Sequence, residues 1–201
     1  MTSQPVHEST LPLADADPRH TRATSATQPG WLRHFWHAVW TIEARSVHYT
    51  LVGWAYWLAL AIGLFMASVA LHNTVRNAEQ TLLLVVAQPL RTPIYIATLL
   101  LVFYVAVAAA TMLARERERG TLNVLLFGPA SEGATVTGIF LAHWRIFALA
   151  LVGVLAWALV ASWAIQLQID AFLLWLAVAA LLLAASMIAL ALFTATFGKR
   201  A

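Results

Sequence analysis

The sequence predicts an all-α, polytopic integral membrane protein with four transmembrane helices and an N-terminal interfacial amphipathic helix. Two observations carry this prediction. Hydrophobic residues make up 61% of the 201 positions and charged residues only 10%, whereas a soluble domain carries roughly 25% charged residues to keep its surface wet. The apolar residues also fall in long continuous runs, without the alternation of barrel strands, so lipid is the expected solvent.

The first 30 residues differ in composition from the rest of the chain. They are rich in Ser, Thr, Pro, Asp and His and contain no long apolar run, which is typical of a disordered segment. No apolar stretch resembling a secretory signal occurs before about residue 51. We therefore expect residues 1–30 to form a disordered cytoplasmic tail.

Residues 31–47 are predicted to form an amphipathic helix in the membrane interface. Apolar and aromatic residues recur at steps of three and four on one face, and basic and polar residues fall mainly on the other. Such a helix lies with its rings at headgroup depth and its charges outward. The alternative is a helix packed on the rest of the protein. The rings expected in the interface are those of Trp31, Phe35, Trp36 and Trp40.

Residues 48–201 are predicted to form the transmembrane domain. Four apolar runs of about 21 to 25 residues match the roughly 30 Å hydrocarbon core when helical. Backbone polar groups must be paired within each segment in lipid, which requires helices. The predicted spans are 51–71, 94–114, 146–166 and 171–195.

Basic residues set the expected orientation. Nine arginines and lysines lie in the N-terminal region, in the loop after the second span and at the C-terminus, and only Arg76 and Arg91 lie in the first loop. Because cytoplasmic loops carry the excess of basic residues, both termini are expected in the cytoplasm. The expected location is the bacterial cytoplasmic (inner) membrane. Arg145 is placed at the inner start of the third span and is expected to reach the headgroups, with a buried functional charge as the alternative.

The most distinctive stretch is residues 115–131, within the run ARERERGTLNVLLFGPAS. A charged turn follows the second span, Gly120 allows a sharp redirection, and Thr121 can cap a short helix over residues 121–127 that Pro129 ends. A loop that only sets topology needs arginines, but not interleaved glutamates and an apolar helix. The pattern therefore indicates a docking surface at the cytoplasmic side.

This stretch resembles the E-x-E-x-G-T-L-x-x-L-L-x-x-P signature of ABC transporter permeases of the exporter-like second type. The interfacial helix, the place of the signature after the second span and the segment 136–143 fit the family in order. The resemblance implies a coupling helix that contacts a separate ATP-hydrolysing subunit, and it allows a homodimer. The residues that it implicates are Glu116, Glu118, Gly120, Thr121, Leu122, Leu125, Leu126 and Pro129.

Two features depart from the family pattern. Family permeases usually have six spans, whereas four are predicted here, and Ile139 stands where many relatives carry a lysine. The chain is thus a shortened permease, one piece of a split permease, or a relative recruited as a structural subunit. The functional alternative to a permease subunit is a non-transporting accessory subunit of a larger respiratory or photosynthetic membrane complex.

Catalytic and cofactor chemistry are not expected in this chain. It contains no cysteine, no phosphate-binding G-x-x-x-x-G-K-[ST] loop and no nucleophile–histidine–acid arrangement, so ATP would act only through the partner. His48, His72 and His143 lie near predicted span ends, where a histidine can ligate haem or a chlorophyll magnesium, but no paired-histidine spacing supports such a role. No metal site is predicted. The expected partners are the lipid bilayer and a membrane or ATPase subunit at residues 115–131, with no nucleic acid.

Overall fold

The computed structural model describes residues 30–81, 89–118, 132–166 and 172–197, which are helical apart from short turns and contain no strand. This confirms the all-α prediction. The tail before Gly30 and residues 198–201 lie outside the described residues. The helices are α1 (Trp31–Val52), α2 (Trp54–Thr81), α3 (Arg91–Glu118), α4 (Glu132–Ile165) and α5 (Phe172–Phe197).

Four of these helices are long and apolar enough to cross a membrane, as predicted. Their candidate spans are Trp54–Asn77, Arg91–Glu116, Gly133–Ile165 and Leu173–Thr196. The third differs most from the sequence prediction, because α4 begins at Glu132 rather than near residue 146. With 34 residues, α4 is about 51 Å long, so it either tilts or extends beyond the roughly 30 Å hydrocarbon layer.

Helix α1 is longer than the predicted interfacial segment 31–47. It continues to Val52, and Gly53 alone separates it from α2. Gly53 is extended, with φ −69° and ψ 131°, and its N–H donates to the carbonyl oxygens of Tyr49 and Thr50. The indole Nε1 of Trp57 donates to the Leu51 carbonyl oxygen at 2.8 Å. These bonds satisfy carbonyls that the end of α1 would otherwise leave unpaired.

Helix α3 lies at the centre of the bundle. It packs on α2, α4 and α5, whereas α1 packs mainly on α4. Ile94, Leu101, Val105 and Ala109 are fully buried along α3, at steps of three to four or multiples of them, so they share one face. Buried alanines also occur on α4 and α5, and such small residues allow the close helix approach that packing in lipid requires.

The outer surface of the bundle is strongly apolar. Large side chains such as Phe65 on α2, Leu99 and Phe103 on α3, and Leu182 on α5 are more than 60% exposed. A water-facing surface of this kind would aggregate, and a lipid-facing one is stable. We refer to the end of the bundle where α2 begins, α3 ends, α4 begins and α5 ends as the arginine-rich end.

Candidate coupling end and adjoining cavity

Helix α3 carries the first part of the signature. It is helical through Glu118, so Glu116 lies in its last turns, where its side chain is half-buried. The side chain of Glu118 and the predicted helix 121–127 lie outside the described residues. The next described element, α4, begins at Glu132. The segment 119–131 therefore connects the ends of two long helices.

The remaining signature residues lie outside the described residues. They are Gly120, Thr121, Leu122, Leu125, Leu126 and Pro129. Their roles in contacting a partner stay predictions.

The aromatic side chains of α1 differ in their exposure. Phe35 is half-buried, whereas Trp36 and Trp40 are exposed by 47% and 58%. The Phe35 and Trp36 rings meet edge to face with centroids 5.8 Å apart. The side chain of Trp31 is not among those described. One face of α1 thus packs on the protein while two tryptophans point away from it, and their place in the membrane interface stays a prediction.

Helices α1 and α4 approach closely at Gly138. A Cβ atom placed on this glycine would lie 2.9 Å from Cγ2 of Ile42 and 3.2 Å from the Val39 carbonyl oxygen. These distances are shorter than ordinary van der Waals contact. The absence of a side chain at Gly138 therefore allows α1 to rest directly on the α4 backbone.

An ion pair joins the same two helices. Nη1 of Arg145 on α4 donates to Oε1 of Glu43 on α1 at 2.8 Å, with the Glu43 side chain buried and 66% of the Arg145 side chain exposed. Arg145 is recognisable in the sequence as a charge at the start of an apolar run, whereas its partner Glu43 is not singled out by hydropathy. A signal was available, because Glu43 is the only acidic residue between Asp17 and Glu79 and lies one turn after buried Val39. Arg145 is thus a paired charge, and it is also largely exposed.

A cavity of about 540 Å³ lies at the arginine-rich end between α1, α3 and α4. Its α3 wall includes Tyr104, Ala108, Thr111 and Arg115, at steps of four, three and four residues on one helix face. Arg45 contributes from α1 and His143 from α4, and the turn at Gly53 closes one side. This cavity could not be predicted from the sequence, because its walls come from segments far apart in the chain.

The three histidines near the predicted span ends, which are the candidate pigment or haem ligands, lie in different environments. His48 and His72 are exposed, and His143 is buried, with Nδ1 donating to the Ile139 carbonyl oxygen at 2.8 Å. That bond fixes the tautomer, so Nε2 is the acceptor nitrogen of the ring. Within the described part of the chain, no group of three His, Asp or Glu side chains could hold a metal ion.

The geometry defines a class of protein: a multi-pass membrane protein with four helices that are long and apolar enough to span the bilayer. A profile of the family described as ABC-2 family transporter protein matches residues 22–201. The chain belongs to this family, which confirms the resemblance drawn from the signature, and it is a membrane transport component of the permease type. Comparisons with curated proteins and with solved structures gave no significant match.

Proposed function

We propose that this chain is the membrane-spanning permease subunit of an ABC transporter and that it couples to a separate ATP-hydrolysing subunit through residues 115–131. Membership of the ABC-2 family supports the permease role. The observation that carries the coupling role is the continuity of α3, which runs without interruption from Arg91 to Glu118. A force applied at the signature glutamates would therefore act directly on a spanning helix.

In this proposal, the partner subunit contacts a short helix over residues 121–127. Leu122, Leu125 and Leu126 share one face of such a helix. Burial of each leucine would contribute roughly 1.5–3 kcal/mol, and a protein subunit offers more surface for it than water or headgroups do. Glu116 and Glu118 add charge at the same junction, where complementary charges on the partner would set the docking orientation.

The proposal includes an orientation. The nine-to-two distribution of basic residues supports an N-terminus and a C-terminus in the cytoplasm, and the signature then faces cytoplasmic ATP. The membrane would be the bacterial inner membrane.

Charge reversal at the two signature glutamates tests the coupling. The chain is purified in mild detergent from its native host, with co-purifying proteins identified and ATP hydrolysis measured. We expect a co-purifying subunit that contains a G-x-x-x-x-G-K-[ST] loop. The double variant Glu116→Lys, Glu118→Lys should lose this subunit or its stimulated hydrolysis while the chain still inserts in the membrane.

The matched control is Glu79→Lys, because the proposed topology puts this glutamate on the opposite side of the membrane. It should retain the subunit and the full rate of hydrolysis. If the double variant behaves like the control, residues 115–131 only set topology. If the co-purifying proteins are redox or pigment proteins without an ATPase, the accessory-subunit alternative is correct.

A further inference from the structure

The cavity at the arginine-rich end is amphipathic along its length. On the α3 wall, Tyr104, Val107, Ala108 and Met112 precede Arg115, and residues 104 to 115 span about 16 Å of helix. The cavity therefore has an aromatic and aliphatic inner part and a charged mouth. Its volume of about 540 Å³ lies within the 300–1,000 Å³ typical of sites for small ligands.

The lining of the cavity carries a net positive charge. Arg45 from α1 and Arg115 from α3 line it together with one carboxylate, that of Glu116, so the formal charges of these three side chains add to +1. Both arginines are exposed. Guanidinium groups bind phosphate oxygens in bidentate fashion, and these two line the cavity from different helices.

The two threonine hydroxyl groups that line the cavity are already engaged. Thr111 Oγ1 donates to the Ala108 carbonyl oxygen at 3.0 Å, and Thr50 Oγ1 donates to the Ser46 carbonyl oxygen at 2.9 Å. These threonines consequently offer the cavity mainly their methyl groups. A hydrocarbon chain placed against these two threonines would therefore leave neither hydroxyl group without a hydrogen bond.

We propose that this cavity is a binding site for an anionic phospholipid, which enters from the leaflet at the arginine-rich end. The phosphate lies between Arg45 and Arg115, and the first part of one acyl chain lies along Ala108 and Met112 towards Tyr104. This inference names a ligand class for the permease proposed above. Its test needs no ATPase, so it can fail while the coupling proposal stands, or stand while coupling fails.

The test is native mass spectrometry of the full chain in mild detergent, titrated separately with phosphatidylglycerol and phosphatidylcholine. Phosphatidylglycerol should bind more tightly. The double variant Arg45→Gln, Arg115→Gln should weaken phosphatidylglycerol binding about thirtyfold, since each basic group near a lipid surface contributes about a factor of five, and should leave phosphatidylcholine binding unchanged. Addition of inorganic phosphate should not displace the lipid, because the acyl chain contributes to binding.

Two sets of control variants distinguish lipid binding in the cavity from general contact with lipid. Arg76→Gln, Arg91→Gln removes the same charge at the opposite end of the bundle and should leave phosphatidylglycerol binding unchanged. Ala108→Trp fills the cavity without a change of charge and should abolish tight binding, whereas Leu99→Trp on the exposed face of α3 should not.

The proposal is overturned if Ala108→Trp binds phosphatidylglycerol as the parent chain does, or if the two arginine pairs have equal effects. Displacement by inorganic phosphate alone would also overturn it, because the site would then bind a free anion. If the Arg45, Arg115 variant does not fold, photo-crosslinking supplies a second measurement. Phosphatidylglycerol with a photoreactive acyl chain should label residues 104–116 of the parent chain, and labelling confined to other helices would contradict the site.

Discussion

Nη1 of Arg145 lies 2.8 Å from Oε1 of Glu43, and this ion pair links α1 to α4 across 102 positions of the chain. The two partners are unequally placed, because the carboxylate is buried and the guanidinium is largely exposed. Together with the close contact at Gly138, the pair attaches α1 to the part of α4 that directly follows the signature segment. A displacement of that segment would therefore move α1 with α4.

The unequal exposure predicts unequal effects of neutralising each partner. Arg145→Gln leaves a buried carboxylate without its cation and should cost about 3 kcal/mol or more. Glu43→Gln leaves an arginine that solvent can hydrate and should cost less than about 1 kcal/mol. Thermal unfolding in mild detergent measures both, and the double variant should recover most of the loss from Arg145→Gln. Equal losses from the two single variants would show that the carboxylate is not effectively buried.

Gly138→Ala should loosen α1 from α4. The added methyl group would meet Ile42 and the Val39 carbonyl oxygen at 2.9–3.2 Å, and overpacking of this kind costs about 1–3 kcal/mol. Gly153→Ala on the same helix is the matched control, because its methyl group would meet Leu60 at an ordinary 3.9 Å and alanine favours helix. The unfolding temperature should fall for the first variant and stay level or rise for the second. If the unfolding temperature falls equally in both variants, the close contact at Gly138 is not the cause of the destabilisation.

Trp36 and Trp40 should hold α1 in the membrane interface, since both are exposed on the side that does not pack on α4. In lipid nanodiscs, Trp36→Glu, Trp40→Glu should speed hydrogen exchange of residues 31–45 by about tenfold, equivalent to roughly 1.4 kcal/mol, while the four spans stay protected. His37→Glu, Thr41→Glu on the exposed polar face is the control and should have little effect. Similar exchange in both variants would show that α1 is held by α4 alone.

The orientation can be tested directly, because the chain has no native cysteine. Single cysteines at Glu79 and Asp170 should react with an impermeant thiol reagent in intact cells. Cysteines at Glu118 and Ala201 should react only after the membrane is opened, as the excess of basic residues on that side requires. Labelling of position 118 in intact cells would show that the topology is the reverse of the proposed one. It would also contradict the coupling proposal.

Thr98 offers a stabilising substitution. Its Oγ1 is buried and has no hydrogen-bond partner within the described part of the chain, and an unsatisfied buried hydroxyl group costs about 1–3 kcal/mol. Thr98→Val keeps the shape and should raise the unfolding temperature. Thr74→Val, which removes a hydroxyl group that donates to the Ala70 carbonyl oxygen at 2.8 Å, should lower it slightly. Destabilisation by Thr98→Val would mean that the hydroxyl group has a partner in the membrane.

The sequence alone determined the helical class, the number of spans and the family. Long apolar runs of this kind are stable in lipid as helices, because their backbone groups must form hydrogen bonds within the segment. The signature is likewise a local pattern of charge, glycine, leucine and proline, readable without tertiary contacts. For the same reason the predicted and observed positions of α2, α3 and α5 agree in their central parts and differ only near their ends.

Only the tertiary structure decided where α1 lies, where α4 begins and what surrounds the cavity. Hydropathy placed the start of the third span immediately after Arg145, because a lone arginine is costly in a membrane. In the structure the helix begins 13 residues before Arg145, at Glu132, and α1 supplies the carboxylate that pairs with this charge. A local pattern cannot reveal that compensation, since its two partners lie 102 positions apart and meet only when the helices pack.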